Sequence, residues 1–162
     1  MGGSVKQYWL LLTTLMACNP VHAERLDDSL STRQQFDVDL VWKERHNTEN
    51  LDTRELNALI ARARDVEIRL NTAPYIGQRG RIYITLPLNI RGTADSSALR
   101  MSWTTNGLFS NGSLTAGNRA RLFDGEITER VMTEVFDITF EIDARQIFSD
   151  LRLEPVFDIE IY

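Results

Sequence analysis

Val135-Phe136-Asp137-Ile138-Thr139-Phe140-Glu141-Ile142-Asp143 is the stretch on which the fold turns. Large apolar side chains stand at every second position, with a polar residue or valine between them. Side chains in a strand alternate between the two faces of the sheet, so Phe136, Ile138, Phe140 and Ile142 share one buried face. A helix would scatter the same four residues around its circumference.

The same period recurs on both sides. Downstream, Phe157-Asp158-Ile159-Glu160-Ile161-Tyr162 alternates to the last residue. Upstream, Leu99-Arg100-Met101-Ser102-Trp103-Thr104 puts Leu99, Met101 and Trp103 on one face, and Arg81-Ile82-Tyr83-Ile84-Thr85-Leu86 runs into Pro87. Phe36-Asp37-Val38-Asp39-Leu40-Val41-Trp42 opens the ordered region in the same way, and Val66 to Leu70 is a further alternating run. Asn106-Gly107, Asn111-Gly112, Gly117-Asn118 and Asp124-Gly125 read as turn dipeptides, because Asn-Gly and Asp-Gly favour hairpin turns with positive φ at both central residues. About seven or eight short strands at this spacing predict an all-β domain, an antiparallel immunoglobulin-like β-sandwich, ahead of a closed barrel.

One segment reads two ways. Asp52-Thr53-Arg54-Glu55 fits a capping box, and Leu56, Leu59, Ile60 and Ala63 follow helical spacing, which predicts a short helix at about 53–63. A continuous strand from about Ala58 to Leu70 accounts for the same residues nearly as well, since no breaker separates the two patterns.

Before the strands comes an export segment. Lys6 supplies a positive start, Tyr8 to Ala17 a short apolar run, Pro20 a helix breaker, and Val21-His22-Ala23 the small-x-small pattern of a signal-peptidase site. Ten such residues fall short of the roughly 20 that cross a bilayer. Residues 1–23 therefore read as a signal peptide, 24–35 as a mobile leader and 36–162 as a single β-sandwich domain, periplasmic or extracellular, with no transmembrane span after processing. Leu15-Met16-Ala17-Cys18 resembles the lipidation motif of bacterial lipoproteins, so a lipid anchor at Cys18, giving a membrane-anchored form, is the alternative. Cys18 is the one cysteine, so cleavage after Ala23 leaves no possible intrachain disulfide.

The formal net charge is −5, and Lys6 is the only charged residue of the first 23, so the exported part is more acidic still. That balance disfavours nucleic acid, whose phosphates call for a basic face. Catalytic inventory is thin. His46 would be the one histidine of the exported chain, and no phosphate loop, nucleophile elbow or dinucleotide fingerprint occurs. The Cys and His count does not reach a four-ligand zinc site. Asp37/Asp39, Asp137/Glu141/Asp143 and Asp158/Glu160 form acidic rows, read as solvated strand faces paired with neighbours such as Glu67/Arg69 and Arg100, with an oxygen-ligated calcium site as the sharper reading. No metal, cofactor or catalytic residue is assigned.

Asn106-Gly107-Leu108-Phe109-Ser110-Asn111-Gly112 sets a large apolar pair between two turn signals. Leu108 and Phe109 are accordingly the candidate partner-binding residues, exposed aromatics at loop tips being common contact points. A short strand feeding Leu108 and Phe109 into the core is the reading that stands ahead of it. The function expected is a noncatalytic, exported β-sandwich working by protein–protein contact in the cell envelope, as a subunit or accessory of a surface assembly. A carbohydrate-binding module is the alternative and would need Trp42, Trp103, Tyr75 and Tyr83 exposed along one face. A carboxylate-dependent hydrolase has least support, since nothing singles out a pair of acids.

Overall fold

The computed structural model describes residues 23–31, 41–42, 57–97 and 99–162. The strand predicted at 135–143 is the later part of β9 (Val131–Asp143), and it is central to a five-stranded sheet. That sheet has the order β2 (Val41–Trp42), β3 (Ala58–Asn71), β9, β6 (Arg100–Thr105), β7 (Gly112–Thr115). A four-stranded sheet has the order β1 (Ala23–Arg25), β11 (Val156–Ile161), β4 (Arg79–Thr85), β8 (Arg119–Glu126). A small pair, β5 (Arg91–Thr93) and β10 (Ile147–Arg152), completes the set, and every pairing is antiparallel. The chain is an all-β sandwich.

Its core is what the alternation requires. Phe136, Ile138, Phe140 and Ile142 are all buried, as are Leu99, Met101 and Trp103 from the β6 segment. Ile82, Ile84, Phe157 and Ile159 from the four-stranded sheet belong to the same apolar cluster. The strand predicted at Phe36–Trp42 lies outside the described residues except for Val41 and Trp42, which pair with Ile60 and Leu59.

The helix predicted at about 53–63 is a strand from Ala58 onward; residues 53–56 lie outside the described part. Of the residues spaced like a helix face, Leu59 and Ala63 turn to the core and Ile60 to the opposite face, and beyond them the strand changes phase. Ala61 and Ala63 are buried at odd positions, Val66 and Leu70 at even ones. Between them the ladder with β9 shifts register, and Asp65 takes φ 55°, the left-handed region. One extra residue in a strand swaps its faces. The bulge is fastened from the partner strand, since the Asp65 N–H donates to Asp137 Oδ1 at 3.1 Å.

The stretch expected as a leader is likewise part of the sandwich as far as it is described. Ala23, Glu24 and Arg25 pair with Glu160, Ile159 and Asp158 of β11. Leu26 is only 2% exposed and donates its N–H to Phe157 O at 2.8 Å. The chain then crosses to the edge of β3, where Asp27 O accepts from Asn71 N at 2.9 Å and Ser31 Oγ accepts from Arg69 N at 2.8 Å. Sparse apolar content concealed this, because one buried leucine and a row of main-chain bonds leave no period to read. Tyr75, in the 3-10 turn Ala73–Tyr75, packs against the same core. Burial, then the Glu24 carboxylate, push its hydroxyl pKa up to about 12.

Candidate contact site

The β6–β7 connection, residues 106–111, is tied down on every side. Trp103, inward on β6, donates its indole N–H to Ser110 O at 2.9 Å. Ser110 N–H reaches across to β8 and donates to Leu122 O at 2.8 Å. Asn111 Oδ1 accepts from Thr105 N at 2.6 Å, closing the base of the loop. From β9, Glu134 Oε2 accepts the N–H of Leu108 at 2.7 Å and that of Phe109 at 3.4 Å. A carboxylate that takes main-chain donors forms charge-assisted bonds, which are stronger than neutral ones.

This frame splits the apolar pair. Phe109 is 4% exposed and sits against Phe123 and Phe136, with ring centroids 6.4 and 6.0 Å away. It is a core residue, so for Phe109 the core reading holds and the partner-binding one does not. Leu108 is 60% exposed, the most exposed large apolar residue among those described. The next residues along the chain point oppositely because the tip's main chain is held by Glu134 on one side and Leu122 on the other.

The glycines around the tip also have a different reason from the one expected. Gly107, Gly112 and Gly125 do not have positive φ; Gly117, at φ 81°, does. What the others provide is room. A Cβ on Gly112 would lie 2.8 Å from Trp103 Cζ2, and one on Gly107 would collide with the Glu134 carboxylate. Gly112 and Gly125 accordingly lie within β7 and β8 rather than in hairpin turns.

Elsewhere the acidic residues are absorbed by arginine and tyrosine. On the outer face of the four-stranded sheet, Tyr83 donates to Glu160 Oε2 at 3.0 Å, and Arg119 donates to Glu160 Oε1 at 2.6 Å. The Arg119 guanidinium also covers the Tyr83 ring at 3.5 Å. A second set repeats the pattern: Tyr162 donates to Asp124 Oδ1 at 2.6 Å, Arg81 donates to Asp124 Oδ2 at 3.1 Å, and Arg81 lies 4.3 Å over the Tyr162 ring. Each set takes one residue from β4 and one from β8; the third is Glu160 of β11 in the first set and Tyr162, just after β11, in the second. Arg119 and then Tyr83 hold the Glu160 carboxyl below its usual range, and Tyr162 and then Arg81 do so for Asp124. Asp143 is held by Arg145, and Asp137 by the β3 bulge. No group of three potential metal ligands occurs among the described residues, and Asp37, Asp39, His46 and Cys18 lie outside them.

The aromatic platform of a sugar site does not assemble from the described side chains. Trp103 is 3% exposed, Tyr75 is packed on the core, and the ring of Tyr83 is capped by Arg119. No described helix is long and apolar enough to cross a membrane. The sequence reading missed Glu134, since a carboxylate at an inward position of an apolar strand is legible only as an interruption of the pattern. Comparison with known protein families, with curated proteins and with solved structures finds no match to this chain.

Proposed function

We propose that the protein is an exported, noncatalytic β-sandwich that works by protein–protein contact in the cell envelope, as a subunit or accessory of a surface assembly, with Leu108 as an apolar anchor. One observation carries the reading: Leu108 is 60% exposed on a tip whose main chain is bonded to both sheets. Presenting an apolar side chain to water is unfavourable for a lone domain, and a partner's pocket removes that exposure. Because the tip is ordered beforehand, binding costs little loop entropy.

The test places a photo-reactive residue at Leu108 in the exporting host, with the exposed Thr104 of β6 as control. A discrete adduct from position 108, at least tenfold stronger than from 104, is expected. Leu108→Asp should keep the melting temperature and lower partner recovery about thirtyfold, the loss of an anchor of about 2 kcal/mol. Equal labelling at both positions, or full recovery with Leu108→Asp, contradicts the assignment.

A further inference from the structure

Resting on that contact reading, we propose that the partner lays an extended, acidic segment along the open edge of β7 as an added strand. The pairing alternation of β7 decides which groups face outward. Ala116 N–H donates to Leu99 O at 3.0 Å, one step beyond the pair Arg100 and Thr115. Hydrogen-bonded and non-bonded pairs alternate along an antiparallel ladder. Leu114 and Gly112 therefore spend their main-chain groups on Met101 and Trp103, while Ser113 and Thr115 turn theirs away from β6. Thr115 O is taken by Asn118 N at 3.0 Å, which leaves the N–H and C=O of Ser113 and the N–H of Thr115 directed outward. In the described sheet β7 pairs with β6 alone.

Other edges carry guards that β7 lacks. Charged side chains on an edge strand deter pairing with another chain. β8 carries Arg119, Arg121, Asp124 and Glu126, and its Leu122 O already takes Ser110 N–H. β1 carries Glu24 and Arg25. β7 reads Gly-Ser-Leu-Thr, with neither charge nor proline.

A shallow, open groove beside it is lined by Arg100, Ser113, Leu114, Thr115, Asn118 and Arg119. Two cations and no carboxylate line this groove in a chain of net charge −5. Arg119 already holds Glu160, whereas exposed Arg100, across the ladder from Glu141 of β9, makes no ion pair with a described residue. An acidic side chain on the incoming segment meets that charge. Leu108 lies on the connection at the Gly112 end of β7 and Arg100 pairs with Thr115 at the other end, so the proposed segment runs between the two. Main-chain bonds along the edge then supply affinity and the two side-chain contacts supply selectivity.

The experiment uses photo-reactive residues at Leu108 and, separately, at Thr115, in the full chain in its exporting host. Ser113→Pro removes an outward N–H without touching the β6 ladder, and proline's φ suits an extended edge position. Arg100→Glu reverses the groove's charge independently of the main chain, and Arg62→Glu, at an exposed position of β3, controls for bulk charge. The expected result is that both adducts fall at least tenfold in Ser113→Pro and in Arg100→Glu, at wild-type melting temperature, and persist in Arg62→Glu. Full adduct yield from Ser113→Pro with intact melting overturns the strand addition while leaving the Leu108 contact standing. If Ser113→Pro does not fold, full yield from Arg100→Glu overturns the acidic strand. Absence of both adducts in the wild type overturns the contact reading and the edge proposal together; an adduct from Thr115 alone that Ser113→Pro abolishes supports the edge and removes Leu108.

Discussion

Leu108 and Phe109 are adjacent, yet their side chains meet opposite surroundings, and the consequence is measurable. Phe109→Ala removes a ring packed against Phe123 and Phe136 and should cost about 3–5 kcal/mol, as large-to-small core changes do. Leu108→Ala should stay within about 0.5 kcal/mol, the usual range for exposed sites. Paired melting curves check this, and equal losses would mean that the tip is packed differently. The carboxylates provide a second residue-level expectation. Glu160 is held below its usual pKa by Arg119 and Tyr83, so its contribution is complete above the ordinary carboxylate range. That contribution disappears as pH falls through the lowered folded value. Glu160→Gln should therefore melt below wild type at pH 7, with the gap closing at about pH 4 and lower. A gap independent of pH would show that the Arg119–Glu160 pair contributes nothing through charge.

Among the elements, β1 and its continuation are the clearest departure from the sequence reading. Leu26 is 2% exposed and hydrogen-bonded to β11, so Leu26→Ala should cost about 2–5 kcal/mol in a denaturant titration. A mobile leader would give no change, which makes the variant decisive. The reasons for what was and was not legible are physical. β4 and β6 bury one face without interruption, β9 does so from Phe136 onward and β11 at Phe157 and Ile159, and alternation alone finds such strands. β3 does not: Leu59 and Ile60 are both apolar although they lie on opposite faces, which imitates helical spacing, and Asp65 then inserts a residue and exchanges the faces. Asn-Gly and Asp-Gly were read as turns from their intrinsic conformational freedom. At Gly112 the decisive fact is instead the Trp103 ring above it, a contact between strands that local sequence does not contain. The tip was found from its flanking signals, but which of its two apolar residues faces water depended on Glu134, 26 residues beyond Leu108.

For the molecule as a whole, the proposed export and the proposed contact meet in the N-terminal strand. Processing after Ala23 would leave Glu24 as the first residue, already paired with Ile159 on the sheet edge. Intact mass from the native host should match a chain beginning at Glu24, whereas a lipid-bearing mass that includes Cys18 would place the domain on a membrane. In that event five residue steps separate Cys18 from Ala23 on β1, and the tether reaches at most about 18 Å. Such a domain would sit against the bilayer rather than range above it. In either form the contact reading requires that the N-terminal strand and the tip belong to one cooperative sandwich. Amide hydrogen exchange measured residue by residue across the chain tests this most directly. The account predicts that Leu26, Leu108 and Ser110, whose N–H groups bond to Phe157, Glu134 and Leu122, are protected along with the β3–β9 ladder. Exchange of Leu108 and Ser110 at free-peptide rates beside a protected ladder would contradict it.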